Sequence, residues 1–177
     1  MLKKIMLPAL LVMGMSAHAD EDSVKGLIGV GAGYIGTEYN EEGSGGDSSD
    51  TVGAPSFNLK LGAEGRFYRA FIDGSFWYTD EYHSAGTLGV ALQYLIRPAE
   101  AFNIFLGVNG GYINTIGDTE GDAYYGVDAG VNLDLSENFG IEVGGRAAGV
   151  SGGNSDYAAT AFYQGYANLI FKFTGDY

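Results

Sequence analysis

The sequence predicts an all-β chain, an eight-stranded antiparallel up-and-down transmembrane β-barrel, on three observations. Apolar residues alternate with polar or small ones at period two in about eight segments separated by turn-rich breaks. The connections between those segments alternate between short and long. Thirty glycines, thirteen tyrosines and ten phenylalanines stand beside only three prolines, a composition that suits many strands and suits helices poorly.

The first strand, 24–38, sets Ile28, Val30, Ala32 and Tyr34 on one face and Gly29, Gly31 and Gly33 on the other. The second, 55–66, alternates without exception: Phe57, Leu59, Leu61 and Ala63 against Ser56, Asn58, Lys60, Gly62 and Glu64. The third, 69–79, opposes Ala70, Ile72, Phe76 and Tyr78 to Asp73, Ser75 and Thr79, with Phe71 and Trp77 as apolar intruders on the polar side. The fourth, 86–97, opposes Leu88, Val90, Leu92 and Tyr94 to Gly89, Ala91 and Gln93. Ile104, Leu106, Val108 and Tyr112 face away from Asn103, Gly107, Asn109 and Gly111 in the fifth. In the sixth, Tyr125, Val127, Ala129, Val131 and Leu133 face away from Tyr124, Asp128, Asn132 and Asp134. The seventh sets Ile141, Val143 and Ala147 against Glu142 and Arg146. The eighth sets Tyr163, Ala167, Leu169, Phe171 and Phe173 against Gln164, Tyr166, Asn168 and Lys172.

Tight turns are expected near 66–69, 97–102 and 136–139, and longer polar loops near 39–54, 80–85, 114–122 and 149–158. Short turns at one end and long loops at the other, with both termini at the short-turn end, is the layout of a bacterial transmembrane barrel whose loops lie outside the cell. The vertical placement of aromatics is an independent check, because they collect at the two membrane interfaces with aliphatics between them. Tyr34, Phe57, Phe76, Tyr78, Tyr112, Tyr125 and Tyr163 fall near the loop end, and Phe67, Tyr94, Phe171 and Phe173 near the short-turn end. Ile28, Leu59, Ile72, Val90, Leu106, Val131 and Val143 occupy the middle. A soluble barrel turns its apolar face inward and has no reason for such banding.

Lys3 and Lys4, the apolar run 5–15 and the sequence Ser16-Ala17-His18-Ala19 read as a secretory signal peptide, which divides the chain into a leader, 1–19, and a barrel, 20–177. The run of about eleven residues is too short for a membrane helix, which needs roughly twenty, and no other segment comes near that length. An inner-membrane helical protein is thereby excluded. Nine basic residues less Lys3 and Lys4 leave seven against 22 acids, a formal charge of −15. Nucleic acid is excluded as a partner, since phosphate binding needs a concentrated basic surface. The absence of cysteine agrees with a chain held by sheet hydrogen bonds.

These features resemble the small eight-stranded porin-like outer-membrane proteins related to the OmpA transmembrane domain and OmpX, over about residues 24–177. The likeness rests on the alternating strands, the loop asymmetry and the aromatic last strand from Tyr163 to Phe173. The resemblance implies recognition of that last strand by the barrel-assembly machinery, through Phe171, Phe173 and the terminal Tyr177. Asn168 stands where the family's export signal carries glycine, and residues 174–177 extend past the aromatic pair. No peptidoglycan-binding domain is expected after the barrel.

An eight-stranded barrel has an interior just wide enough to be filled by side chains, so inward charges must pair. The strand assignment directs Lys60, Arg146 and Lys172 inward together with Glu64, Asp73, Asp128, Asp134 and Glu142. They are expected to form a ladder of salt bridges that plugs the lumen, because an unpaired buried charge costs several kcal/mol; the alternative is a narrow ion path along the same residues. Arg66, Arg69 and Arg97 at the short turns are assigned to periplasmic-side lipid headgroups. The chain after the leader has one histidine, His83, beside Ser84, with Asp80 and Glu81 nearby. Adjacent strand residues point to opposite faces, and the lipid A deacylases place serine two residues after histidine, so His83 reads as a solvated loop residue and no catalytic residue is assigned. The acidic stretches Glu41-Glu42, Asp47 to Asp50 and Asp118 to Asp122 lack the spacing of a calcium loop. Gly29-x-Gly31-x-Gly33 precedes no helix and makes a weak nucleotide motif. No metal or cofactor is therefore expected. The expected partners are outer-membrane lipids and lipopolysaccharide, with a host or surface ligand at the loops. The expected role is non-enzymatic, in envelope integrity or adhesion; a narrow pore ranks second and a lipid A-modifying enzyme third.

Overall fold

A computed structural model describes residues 24–41, 49–79, 83–115, 121–151 and 157–173. Residues 1–23, which include the expected leader 1–19, and the terminal residues 174–177 lie outside the described residues. Eight strands follow one another: β1 Lys25–Glu41, β2 Ser49–Glu64, β3 Tyr68–Thr79, β4 His83–Ala99, β5 Phe102–Thr115, β6 Asp122–Ser136, β7 Phe139–Ser151 and β8 Tyr157–Phe173. Each pairs antiparallel with the next, and β8 returns to β1, so the sheet closes on itself. The closing ladder runs from Gly26 opposite Phe173 to Glu41 opposite Tyr157, with a register shift between Glu38 and Tyr39.

The strands run further than alternation alone predicts. β1 continues to Glu41 and β2 begins at Ser49, so much of the expected loop 39–54 is sheet. His83 and Ser84, expected in a loop, open β4 opposite Thr79 and Tyr78. Past the membrane, cross-strand pairing no longer needs an apolar face, and the period-two signal fades while the ladder persists. At the other end the turns are tighter than expected. The turn between β2 and β3 is closed by the Gly65 N–H donating to the Tyr68 carbonyl at 2.8 Å, which leaves Arg69 inside β3 rather than in a turn.

Side-chain burial is the inverse of a soluble protein's. Leu106, Val108 and Val127 are 53–58% exposed, whereas Lys60, Asn58 and Asp73 are 3–4% exposed. An apolar surface of this extent is stable only against lipid. The aromatics of both girdles, Tyr34, Phe57, Phe76, Tyr78, Tyr112, Tyr125 and Tyr163 above and Tyr94, Phe171 and Phe173 below, all lie on this exposed face. On the lower rim Tyr68 packs at a tilt against Tyr94 and Phe139 against Phe171, with ring centroids 5.2 and 5.3 Å apart.

Inward glycines let the wall approach its contents. A Cβ on Gly31 would lie 2.1 Å from both the Ala167 carbonyl and the Asn168 amide oxygen, and one on Gly107 would lie 2.4 Å from the Asp128 carboxylate. Side chains there would displace the lumen residues and spread the ladder.

Leu106→Arg, at mid-belt, is expected to destabilise the folded barrel in bilayers by about 2–4 kcal/mol, and Tyr112→Arg, near the interface, by no more than about 1 kcal/mol. Denaturant titration into phospholipid vesicles, followed by the heat-sensitive mobility of the folded band on SDS gels, measures both.

The barrel lumen as candidate functional site

The lumen is filled in levels, starting from the short-turn mouth. Glu64 ends β2 there, and its Oε1 accepts from Lys172 Nζ at 2.9 Å and from Arg97 Nη2 at 3.0 Å. Lys172 also reaches Asp134 Oδ1 at 2.8 Å, and that carboxylate accepts from the Asn103 and Asn132 amides. Arg97 donates in addition to the carbonyls of Gly65 and Arg66, tying the first turn to the end of β4.

One level deeper, Glu142 of β7 is fully buried between two cations. Its Oε1 accepts from Lys60 Nζ at 2.7 Å and from Asn168 Nδ2 at 2.9 Å, while Oε2 accepts from Arg69 Nη2. Arg69 Nε donates to Gln93 Oε1 at 2.6 Å, and Gln93 Nε2 donates on to Asp128. Aromatic faces complete the solvation of both cations: Lys60 Nζ sits 4.3 Å from the Tyr166 ring centroid and the Arg69 guanidinium 4.7 Å from that of Phe105.

Above this, Arg146 pairs with Asp73, and Asp128 stands directly opposite Arg146 in the β6–β7 register. A neutral layer follows, in which Gln164 Nε2 donates to Ser56 Oγ and Asn58 Oδ1 and Ser75 Oγ donates to Asn58 Oδ1, at 2.8–3.1 Å. The loop end is closed by an apolar cap of Ile35, Ala54, Trp77, Ala85, Ile113, Tyr124, Ala148 and Phe162. Tyr124 and Phe162 meet edge to face at 5.2 Å.

All eight lumen charges named from the sequence, Lys60, Glu64, Asp73, Asp128, Asp134, Glu142, Arg146 and Lys172, lie on the inward face. Arg69 does not reach lipid headgroups: it is 1% exposed and bridges Glu142 and Gln93, because the tighter turn puts it in step with Phe71 and Asp73. Phe71 and Trp77 are lumen residues by design of the interior, which holds apolar clusters as well as charges. Sequence reasoning missed Leu27, Ile35, Leu95, Phe105, Ile113, Phe162 and Ile170, all buried inward. Unbroken apolar runs such as Ile104-Phe105-Leu106 and Leu169-Ile170-Phe171 were the available signal, since a strand apolar on both faces has an apolar face to the interior. Asp80 and Glu81, Glu42, Asp47 and Asp118 to Glu120 lie outside the described residues.

A closed eight-stranded antiparallel sheet, apolar on its outer face and packed with charged and polar side chains inside, defines the class: a small transmembrane β-barrel. Solved structures of that class superpose on it. Neisserial surface protein A matches at TM-score 0.65 and 14% identity over 82% of this chain and 97% of that one. Outer membrane protein H of P. aeruginosa matches at TM-score 0.51 and 18% identity over 82% and 99%. Ail, the attachment invasion locus protein of Yersinia pestis, solved in complex with the heparin analogue sucrose octasulfate, matches at TM-score 0.50 and 15% identity over 84% and 99%. At these identities the likeness is one of fold. No family model matches the chain, and no curated protein matches it.

Glu142→Gln keeps the shape of the central carboxylate but leaves Lys60 and Arg69 buried without their anion. A loss of about 3–5 kcal/mol in unfolding free energy is expected, against less than about 1 kcal/mol for Arg97→Ala, whose partly exposed pair is screened by solvent. Adding Lys60→Met to Glu142→Gln is expected to recover part of the loss in the same denaturant titration.

Proposed function

We propose that this barrel is closed and non-enzymatic, and that it serves envelope integrity or surface interaction through its loop end. The observation that supports this reading best is the lumen filling. Glu142, Arg69, Phe162 and Ile35 are at most 1% exposed, and the ionic levels below are capped by apolar side chains above. A water-filled path would need that cap and at least two ion-paired levels to move together. The lumen charges thus act as a structural plug.

The lipid-facing girdles anchor the protein among outer-membrane phospholipid and lipopolysaccharide, and the barrel-assembly machinery inserts it through β8. Surface partners are selected by charge. The four predicted loop regions contain no lysine or arginine, and their acids include Glu41, Glu42, Asp47, Asp50, Asp118, Glu120 and Asp122. Ail was solved with a sulfated sugar. An acidic loop end repels such a polyanion, so this chain takes neutral or cationic partners instead.

The ion pairs along the lumen are the one observation that favours a narrow pore as second reading. Planar-bilayer recording separates the two. The purified protein is expected to give no steady conductance, and regular single-channel steps would replace the closed reading by the pore. An unchanged lipid A mass profile in cells carrying His83→Ala is expected on the non-enzymatic reading; a change in acylation would overturn it.

A further inference from the structure

The chain has 22 acids against nine bases, and its four arginines are Arg66, Arg69, Arg97 and Arg146. Arg69 and Arg146 are buried in the lumen, as are Lys60 and Lys172. The two exposed arginines, Arg66 and Arg97, meet at a single point, the turn between β2 and β3 on the short-turn rim. An acidic protein has thus gathered both of its exposed guanidinium groups in one place.

That turn is held from several sides. The Gly65 N–H donates to the Tyr68 carbonyl at 2.8 Å and the Leu95 N–H to the Phe67 carbonyl at 2.7 Å. Arg97 Nε donates to the Arg66 carbonyl at 2.9 Å, and its Nη2 donates to Glu64 at 3.0 Å and to the Gly65 carbonyl at 3.3 Å. None of these bonds uses Arg97 Nη1 or the side chain of Arg66. The Arg66 guanidinium lies over the Phe67 ring instead, 5.1 Å from its centroid. Among the described residues no carboxylate comes within ion-pair reach of it. Phe67, Tyr68 and Tyr94 are each about half exposed beside it, on the wall that meets lipid. A guanidinium laid over an aromatic of the lower girdle stands at headgroup height, with hydrocarbon on one side and water on the other.

We infer that Arg66 and Arg97 form a clamp for the phosphate of an anionic phospholipid in the leaflet at the short-turn end. The planar fork of a guanidinium matches two phosphate oxygens, which an ammonium does not. Charge complementarity selects the occupant. Glu64 answers Arg97, whereas the charge of Arg66 has no protein partner, so a lipid of net negative charge completes the site. A zwitterionic lipid would bring its own cation to a place that already has one in excess. The surface is continuous with the lipid-facing wall through Tyr94 and Ile96, which gives the acyl chains of the same lipid somewhere to lie. The inference rests on the reading of the girdles as lipid contacts, and it names the lipid class and the residues that take it.

The test titrates the refolded protein in detergent micelles with phosphatidylglycerol or phosphatidylcholine and counts bound lipid by native mass spectrometry. Phosphatidylglycerol is expected to bind more tightly than phosphatidylcholine. Arg66→Gln removes no hydrogen bond of the turn and is expected to weaken phosphatidylglycerol binding about fivefold. Arg66→Lys is expected to fall between the two, because it keeps the charge and loses the fork. Lys25→Gln, at the same rim, is expected to leave binding unchanged. Equal affinity for the two lipids, or equal losses in Arg66→Gln and Lys25→Gln, overturns the clamp. Displacement of the lipid by inorganic phosphate at equal concentration overturns it too, since the site would then be one for free phosphate. Insertion into phosphatidylcholine vesicles, followed by the heat-sensitive band on gels, is measured on every variant. Insertion without selective phosphatidylglycerol binding sinks the clamp alone, whereas failure of the unaltered protein to insert sinks the bilayer reading beneath it.

Discussion

The structure depends on closure of the backbone ladder between β8 and β1. In the hydrocarbon layer no water is present to satisfy an open strand edge, and each orphaned peptide group there costs several kcal/mol. The ladder from Gly26 and Phe173 upward removes that edge. Closure with eight strands then fixes a lumen only wide enough for side chains. Every other residue of every strand is committed to that narrow space and the rest to lipid. The exposed aliphatics and the buried Lys60, Arg69 and Arg146 are two results of one constraint.

Within the lumen the charges compensate between levels more than within them. Glu142 answers two cations, Lys60 and Arg69, whereas Arg146 sits between Asp73, which it pairs with, and Asp128, which faces it in register. One level has an excess of positive charge and the next an excess of negative charge. Gln93 joins them, accepting from Arg69 and donating to Asp128. In a medium of low dielectric such a chain behaves as a unit, so deletions along it are not additive. The cation-facing rings of Tyr166 and Phe105 belong to the same unit, because they replace water around groups that have none. The apolar cap above relieves the sequence of supplying charged partners at the loop end.

Much of this architecture was legible in the sequence because period two is strict where both faces are under pressure. The assignment of Lys60 and Glu64 opposite Leu59 and Leu61 follows from parity alone. Parity fails to show which residues share a level or which charge meets which, since Lys60 and Glu142 are 82 residues apart and are joined only by closure and strand stagger. Arg69 was misread because Arg66-Phe67-Tyr68 resembles a turn, although counting back by twos from Asp73 through Phe71 leads to it. The apolar lumen residues were missed because alternation was sought as apolar against polar; Phe105 between Ile104 and Leu106 breaks that rule while keeping the pleat. Strand ends were misplaced for a related reason: hydropathy reports the lipid, whereas the ladder reports only geometry.

That last difference explains where this molecule is free to vary. Inside the membrane an unpaired edge is forbidden, and all eight ladders run continuously through the belt. Above the belt water satisfies peptide groups, and β1 and β8, each 17 residues, and β2, 16 residues, outrun β3 at 12 and β7 at 13. A strand needs only about 9–11 residues to cross when tilted. The surplus in β8, β1 and β2 lies beyond what crossing requires. The constraint that seals the lumen stops at the aromatic rims, and strand length varies beyond them, from 12 residues in β3 to 17 in β1, β4 and β8.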